Sequence, residues 1–210
     1  MQNIKTIIFD LGGVIINLHI EKTISAFAQL SGLSEKEVEN AYLSADVFKQ
    51  YEKGLISNAE FRQNLREEFS LKATDDEINV AWNAMLGDIP ADRLESIKVL
   101  LQNYKCIVLS NTNAIHEKAF HKILSDSFPY RHLKDLFHEV YFSHDLNQRK
   151  PDREIYENVL SLAKTEASEA LFMDDGIANL DAASALGIHT LHIPRNGGFM
   201  KLLQNKLSDL

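Results

Sequence analysis

The chain has 210 residues, 45% of them hydrophobic and 25% charged, which suits one large globular core or a core with a smaller companion. Its formal charge of −8 repels polyanions and argues against a nucleic-acid partner held by phosphate contacts. A single cysteine excludes an intrachain disulfide, and no apolar run reaches membrane-spanning length, so a soluble, cytoplasmic protein is expected.

In chain order, residues 4–9 form a short, β-branched-rich apolar run that ends at Asp10 and is followed by Gly12-Gly13. Such a run reads as a strand buried on both faces. From about residue 20 to residue 85 no strand pattern occurs, only amphipathic helical segments. Three of these begin with capping-box pairs: Ser34 with Glu37, Ser57 with Glu60, and Thr74 with Glu77. The spacing of Phe61, Leu65 and Phe69 is helical. Residues 90–102 read as a helix returning to the sheet.

Strand and helix then alternate. Residues 104–109 form a second apolar run, which ends at Ser110-Asn111 and contains Cys106, read as a small buried hydrophobe. A helix is predicted over residues 113–124. A weaker strand follows at 139–142, then a loop with Lys150, then a helix over 153–163. A fourth strand, 170–173, ends at Asp174-Asp175, with a helix over 179–186. A fifth strand spans 188–193, and a last helix 198–207. This order implies βαβ units and a doubly wound α/β fold with a mostly parallel sheet. The helix-only stretch reads as an inserted bundle. The expected division is a core of residues 1–16 and 86–210 and a helical cap of residues 17–85, with short joints near 16–19 and 85–90.

Ligands of open parallel sheets bind beyond the carboxyl ends of the strands. Asp10, Ser110, Asp174 and Asp175 all stand at predicted strand ends, and Lys150 in a loop after one. Each has an ordinary reading when taken alone: a turn at Asp10-Gly12-Gly13 or Asp174-Asp175-Gly176, a helix cap at Ser110-Asn111, a solvated lysine before Pro151. Together they suit phosphoryl transfer. Asp10 can attack phosphorus as a covalent nucleophile. Asp174 and Asp175 offer the hard oxygen ligands that Mg²⁺ takes beside a substrate phosphate. Lys150 would neutralise phosphoryl oxygens, Ser110 would hydrogen-bond them, and Gly12 and Gly13 would let backbone N–H groups approach them.

These segments resemble the four motifs of the haloacid dehalogenase-like hydrolase superfamily, in the group with a helical cap inserted after the first motif. The first is Ile7-Ile8-Phe9-Asp10-Leu11-Gly12-Gly13-Val14, the second Val108-Leu109-Ser110-Asn111, and the third begins Lys150-Pro151-Asp152-Arg153. The fourth runs from Leu171-Phe172-Met173-Asp174-Asp175-Gly176 to Ala183. The stretch Tyr51-Glu52-Lys53-Gly54-Leu55-Ile56-Ser57 resembles the cap of the branch that holds glucose-1-phosphatase-like proteins and the epoxide hydrolase N-terminal phosphatase. The resemblance implies Asp10 as nucleophile and Mg²⁺ held by Asp10, the Gly12 carbonyl and Asp175, with Asp174 a further ligand or a supporting partner. Asn111 and Ser110 would lie at the phosphate. The implied activity is hydrolysis of a small phosphate monoester, a sugar phosphate for preference.

One departure stands out. Most phosphatases of this family carry a second aspartate two residues after the nucleophile, as general acid and base, where this chain has Gly12; the resembling branch shares that glycine. Asn17 and His19 follow the loop, but a core or surface role suits each of them better. Two other functions compete: a 2-haloacid dehalogenase using the same Asp10, and a binding protein that has lost catalysis. A two-component receiver domain uses similar parts, but its acidic pair comes first in sequence. Lys53-Gly54 is a candidate for touching substrate, Trp82 and Tyr42 read as helix-block core, His189 and His192 as structural, and Arg195-Asn196-Gly197-Gly198 as a surface turn. Neither the substrate nor the oligomeric state is legible.

Overall fold

The computed structural model describes residues 4–208. Five strands form one all-parallel sheet: β1 (Thr6–Phe9), β2 (Lys105–Ser110), β3 (Glu139–Phe142), β4 (Ala170–Asp174) and β5 (His189–His192), in the order β3-β2-β1-β4-β5. Between β1 and β2 lie α1 (Ile20–Ser31), α2 (Glu35–Ser44), α3 (Asp46–Glu52), α4 (Asn58–Glu68), α5 (Asp75–Asn83) and α6 (Ala91–Leu100). The remaining helices are α7 (Ala114–Ser127), α8 (Ser143–Leu146), α9 (Arg153–Leu162), α10 (Ile177–Ser184) and α11 (Met200–Ser208). None of the described helices is long and apolar enough to cross a membrane.

Strand alternation explains the continuous apolar runs. Ile7 and Phe9 point into one hydrophobic cluster with Val108, Leu171 and Met173. Ile8 points the other way, into a cluster with Ile107, Leu109, Phe172 and Ile155. Both faces are covered by helices, so neither parity of the strand can be polar. Cys106 belongs to the first cluster, and burial pushes its thiol up to about 12, which keeps it inert.

The helices from α1 to α5 have their own apolar centre, built from Phe27, Phe48, Phe61, Leu65, Ile78 and Trp82. Tyr51 and Phe61 stack there at 3.9 Å. All three expected capping boxes form: at Ser34, Ser57 and Thr74 the side chain accepts the backbone N–H of the glutamate three residues on, which reciprocates. Two crossing strands tie this block to the sheet. Gly87 N donates to Asn17 O at 2.7 Å, Asn17 N to Asp88 O at 2.9 Å and His19 N to Met85 O at 2.8 Å. Leu18 and Leu86 pair as an antiparallel bridge.

Two local details differ from expectation. The helix expected from residue 179 begins at Ile177, because Gly176 N donates to Asp174 Oδ1 and the chain turns at once. The short helix α8 has no apolar period to announce it; it turns the chain after β3, and its Ser143 Oγ donates to Glu52 O at 2.6 Å.

Candidate active site

β1 is central, and its neighbours fix what stands beside its end. Phe9 is level with Val108 on one side and Met173 on the other. Asp10 therefore follows β1 at the height of Asp174, the last residue of β4, and one residue short of Ser110, the last of β2. Five residues remote in sequence meet at one edge of the sheet, as the strand-end rule requires.

Lys150 is at the centre. Its Nζ donates to Asp10 Oδ1 at 2.7 Å, Asp174 Oδ2 at 2.7 Å and Leu109 O at 2.9 Å, so all three protons are placed. The side chain is fully buried and passes over the Phe172 ring. Burial alone would lower the ammonium's pKa; Asp10 and Asp174 more than offset it and hold the group above the usual lysine range. Burial raises the Asp10 carboxyl, Asp174 and Asp175 add to the rise, and Lys150 opposes it.

Asp174 accepts three hydrogen bonds. Its Oδ1 takes Gly176 N at 2.7 Å and Asn179 Nδ2 at 3.0 Å, and its Oδ2 takes Lys150. Asp175 pairs with Arg195, whose Nε lies 2.5 Å from Oδ2. Carboxylate oxygens of Asp10, Asp174 and Asp175 lie within 4.8 Å of one another. Three carboxylates against two fixed cations leave an excess negative charge on hard oxygen donors, which fits a divalent cation of the Mg²⁺ type.

The glycines and Asn111 serve the site differently from expectation. Gly13 N donates to Ile16 O at 2.7 Å, so that N–H belongs to the turn. What Gly13 provides is room: at φ +79°, a Cβ would stand 2.8 Å from Asp175 Oδ2. Asn111 uses both ends of its amide on the Lys150 backbone, accepting from Lys150 N and donating to Lys150 O, each at 2.8 Å. It holds the lysine's peptide with its oxygen and one of its two amide protons. Ser110 is buried and makes only a long 3.4 Å contact to Asn111 O. The cap of α7 is Asn113, whose Oδ1 accepts His116 N at 3.0 Å.

A cavity of about 110 Å³ opens beside Gly12, between the sheet edge and the helical block. Leu11, Gly12, Ser110 and Asn111 line it from below; Tyr42, Glu52 and Trp82 line it from the block. Tyr42 and Trp82, expected as plain core, thus form cavity wall, because the block's apolar centre runs out to this face. Trp82 stacks on His116 at 4.6 Å. His116 Nε2 meets Trp82 O at 3.0 Å and its Nδ1 meets Asn113 Nδ2 at 3.2 Å, and burial drops its pKa to about 4. Lys53 and Gly54 do not line the cavity. Lys53 pairs with Asp152 at 2.8 Å, and Gly54 packs so close to His144 O that a Cβ would stand 2.3 Å away.

The turn after β5 is more than surface. Besides Arg195 on Asp175, Asn196 donates to Leu18 O and accepts Leu18 N, and its own N–H donates to Gly13 O at 2.8 Å. Arg93 closes the brace with bonds to Ile15 O and Asn196 O. Arg195 stands just past a strand end, so the rule that found Asp10 could have found it. Arg149, which binds Glu52 at 2.9 Å, is the neighbour of Lys150. Asn17 and His19 lie on the crossing strands, and Asn17 Nδ2 donates to Asp88 at 2.8 Å.

The sequence from residue 4 to residue 187 matches the haloacid dehalogenase-like hydrolase family. The chain belongs to that family. The hydrolase is 32% identical to a D-ribitol-5-phosphate phosphatase of Bacteroides thetaiotaomicron, over 92% of this chain and 93% of that one. It is 28% identical to a sesquiterpene phosphatase of Aspergillus oryzae, over 90% and 89% of the two chains. Among solved structures, a family enzyme of Bacteroides thetaiotaomicron in complex with magnesium and inorganic phosphate superposes with a TM-score of 0.86 at 36% identity. That match covers 95% of this chain and 99% of the other.

Proposed function

We propose that this hydrolase cleaves a small phosphate monoester, a sugar or sugar-alcohol phosphate, through an aspartyl-phosphate on Asp10. The observation that carries the reading is the placement of Asp10: its Oδ1 is held by Lys150, and Asp174 and Asp175 stand beside it. Two anions must approach each other for a carboxylate to attack phosphorus, and this site gathers the charges that permit it.

In this reading Asp10 forms the bond to phosphorus and the alcohol leaves. Water then attacks the phosphorus, and the Asp10–phosphorus bond breaks to return the carboxylate. Lys150 opposes the rise that burial imposes on the Asp10 carboxyl and directs its Oδ1, and Asp174 holds Lys150. Ser110 presents its hydroxyl to the transferring group, and Gly12 leaves the approach open. Asp10, Asp175 and the Gly12 carbonyl would hold Mg²⁺, which would neutralise the phosphoryl oxygens when bound. Asp174 contributes less directly, since both its oxygens already accept hydrogen bonds. The relative at 32% identity and the magnesium–phosphate complex of the 36% identical enzyme support the same chemistry.

Residues 17–85 act as a cap over a core of residues 1–16 and 86–210, since the cavity beside Gly12 has walls from both. A cytoplasmic setting suits a chain whose one cysteine is a buried thiol. The dehalogenase alternative needs no metal, and the crowding of Asp174 and Asp175 against Asp10 argues against it. A screen of phosphate esters with and without Mg²⁺ tests the proposal. Turnover that requires the metal supports it; Mg²⁺-independent halide release from a 2-haloacid, with no ester cleaved, refutes it.

A further inference from the structure

Phosphate-ester cleavage with a poor leaving group needs a proton donor, and Gly12 supplies none. Leu18 occupies the space beside it: a Cβ at Gly12 would stand 2.6 Å from Leu18 Cδ1, at the flexible end of that side chain. The donor must come from elsewhere on the cavity wall.

Most polar groups of that wall are unsuited. Asn111 and Asn113 are carboxamides, which do not exchange a proton near neutrality, and His116 is bonded to Asn113 and Trp82 O. His116 also sits too low to hold a proton near neutrality. Tyr42 is pushed by burial up to about 12, too high to exchange one easily, and alcohol hydroxyls such as Ser110 lie beyond that range. Glu52 is the only carboxylate among the lining residues. Arg149 takes one of its oxygens, Oε2, at 2.9 and 3.0 Å. Among the described residues its Oε1 has no hydrogen-bond partner.

Resting on the phosphatase reading above, we propose that Glu52, reaching in from the helical block, is the general acid and base of this hydrolase. In the first step Asp10 bonds to phosphorus, the bond from phosphorus to the ester oxygen breaks, and the Glu52 proton passes to that oxygen, releasing a neutral alcohol. In the second, Glu52 takes a proton from water as the water oxygen bonds to phosphorus. The Asp10–phosphorus bond breaks, phosphate leaves, and Glu52 is again an acid.

The local structure is built to hold this side chain still. Glu52 ends α3, and its carbonyl accepts Ser143 Oγ at 2.6 Å. The next carbonyl, of Lys53, accepts Asn147 Nδ2 at 2.9 Å, and Gly54 in its left-handed conformation (φ +64°) lies flat on His144 O. Arg149, one residue before Lys150, then fixes the carboxylate from the core side. Burial raises the Glu52 pKa more than Arg149 lowers it, which favours a protonated form at higher pH than usual for glutamate. One carboxylate of the cap is thereby tied to the loop that carries the catalytic lysine.

The Glu52→Gln enzyme keeps an oxygen for Arg149 and tests the role. The probes are p-nitrophenyl phosphate, phenyl phosphate and primary alkyl phosphates, each as kcat/KM across pH. With the variant folded by circular dichroism, we expect kcat/KM on alkyl phosphates to fall about 100-fold. On p-nitrophenyl phosphate, whose leaving group needs no proton, the fall should be several-fold smaller. The alkaline limb of the pH profile should vanish, and Glu52→Asp should restore part of the alkyl activity and the limb. A uniform loss on all esters with the limb intact overturns the proposal and leaves Glu52 a structural latch. A wild-type protein that cleaves none of the esters is a different result, and refutes the phosphatase reading beneath it.

Discussion

Lys150 Nζ stands 2.7 Å from Asp10 Oδ1 and 2.7 Å from Asp174 Oδ2, so one buried ammonium bridges carboxylates from two neighbouring strands. Removing one partner of such a set leaves buried charges without compensation, which typically costs about 3–5 kcal/mol. The Lys150→Met protein should lose at least about 100-fold in kcat. Its metal-free stability should also fall further as pH rises. Without the lysine, burial of Asp10 is no longer opposed and its carboxyl resists ionisation in the fold, so charging it above the unfolded value of 3.8 favours the unfolded chain. Urea unfolding of the metal-free variant between pH 4 and 8 reads this out; a deficit independent of pH would contradict it.

Asp175 links the metal to the turn after β5. Mg²⁺ should raise the melting temperature of the wild type, by the equivalent of about 2.7 kcal/mol at a hundred times its dissociation constant. The Asp175→Asn protein should show little of that rise and little activity. Differential scanning fluorimetry against a Mg²⁺ series, with a chelator control, checks both. An equal rise in the variant would remove Asp175 from the metal site.

Gly13 is required by two constraints at once, its left-handed φ of +79° and the 2.8 Å from its missing Cβ to Asp175 Oδ2. The Gly13→Ala protein should be less stable by about 1–2 kcal/mol from the backbone alone. Because Asp175 must move, its Mg²⁺ affinity should fall as well. Titration of the folded variant by calorimetry would show this; unchanged affinity would mean that Asp175 has room to shift without cost.

His116 gives the fold an acid limit. Its folded pKa of about 4 lies below the ordinary 6.5, because burial disfavours the charged ring. As pH falls below 6.5 the unfolded chain binds the proton first. Stability is therefore full above that value, declines down to about pH 4 and then levels, by on the order of 3 kcal/mol from this group. The His116→Gln protein should show a flatter profile across that window. An identical slope would assign the acid sensitivity to other groups.

Much of this arrangement was legible in the sequence, and the reasons are physical. Parallel strands buried on both faces leave uninterrupted apolar runs, as in β1, β2 and β4, whereas the edge strands β3 and β5 are half-buried and carry polar residues. Capping boxes are local, so those at Ser34, Ser57 and Thr74 could be read directly. Asp10, Ser110 and Asp174 are legible because strand ends converge by topology. Arg195, Glu52 and Arg149 were not singled out, since each acquires its meaning from a partner far away in sequence: Asp175 for the first, and one another across 97 positions for the others. Asn111 has a second role that its motif position does not announce: its amide also holds a peptide 39 residues on.

Covalent capture of phosphate by Asp10 is what most directly decides the chemistry. The measurement is rapid acid quenching of wild-type enzyme turning over a phosphate ester with Mg²⁺, followed by mass spectrometry of the peptide that contains Asp10. A phosphate adduct on Asp10 that builds and decays within a turnover, and that disappears together with all activity in the Asp10→Asn protein, is expected. Steady turnover with no adduct at any time, or an Asp10→Asn protein that still hydrolyses the ester, would contradict it.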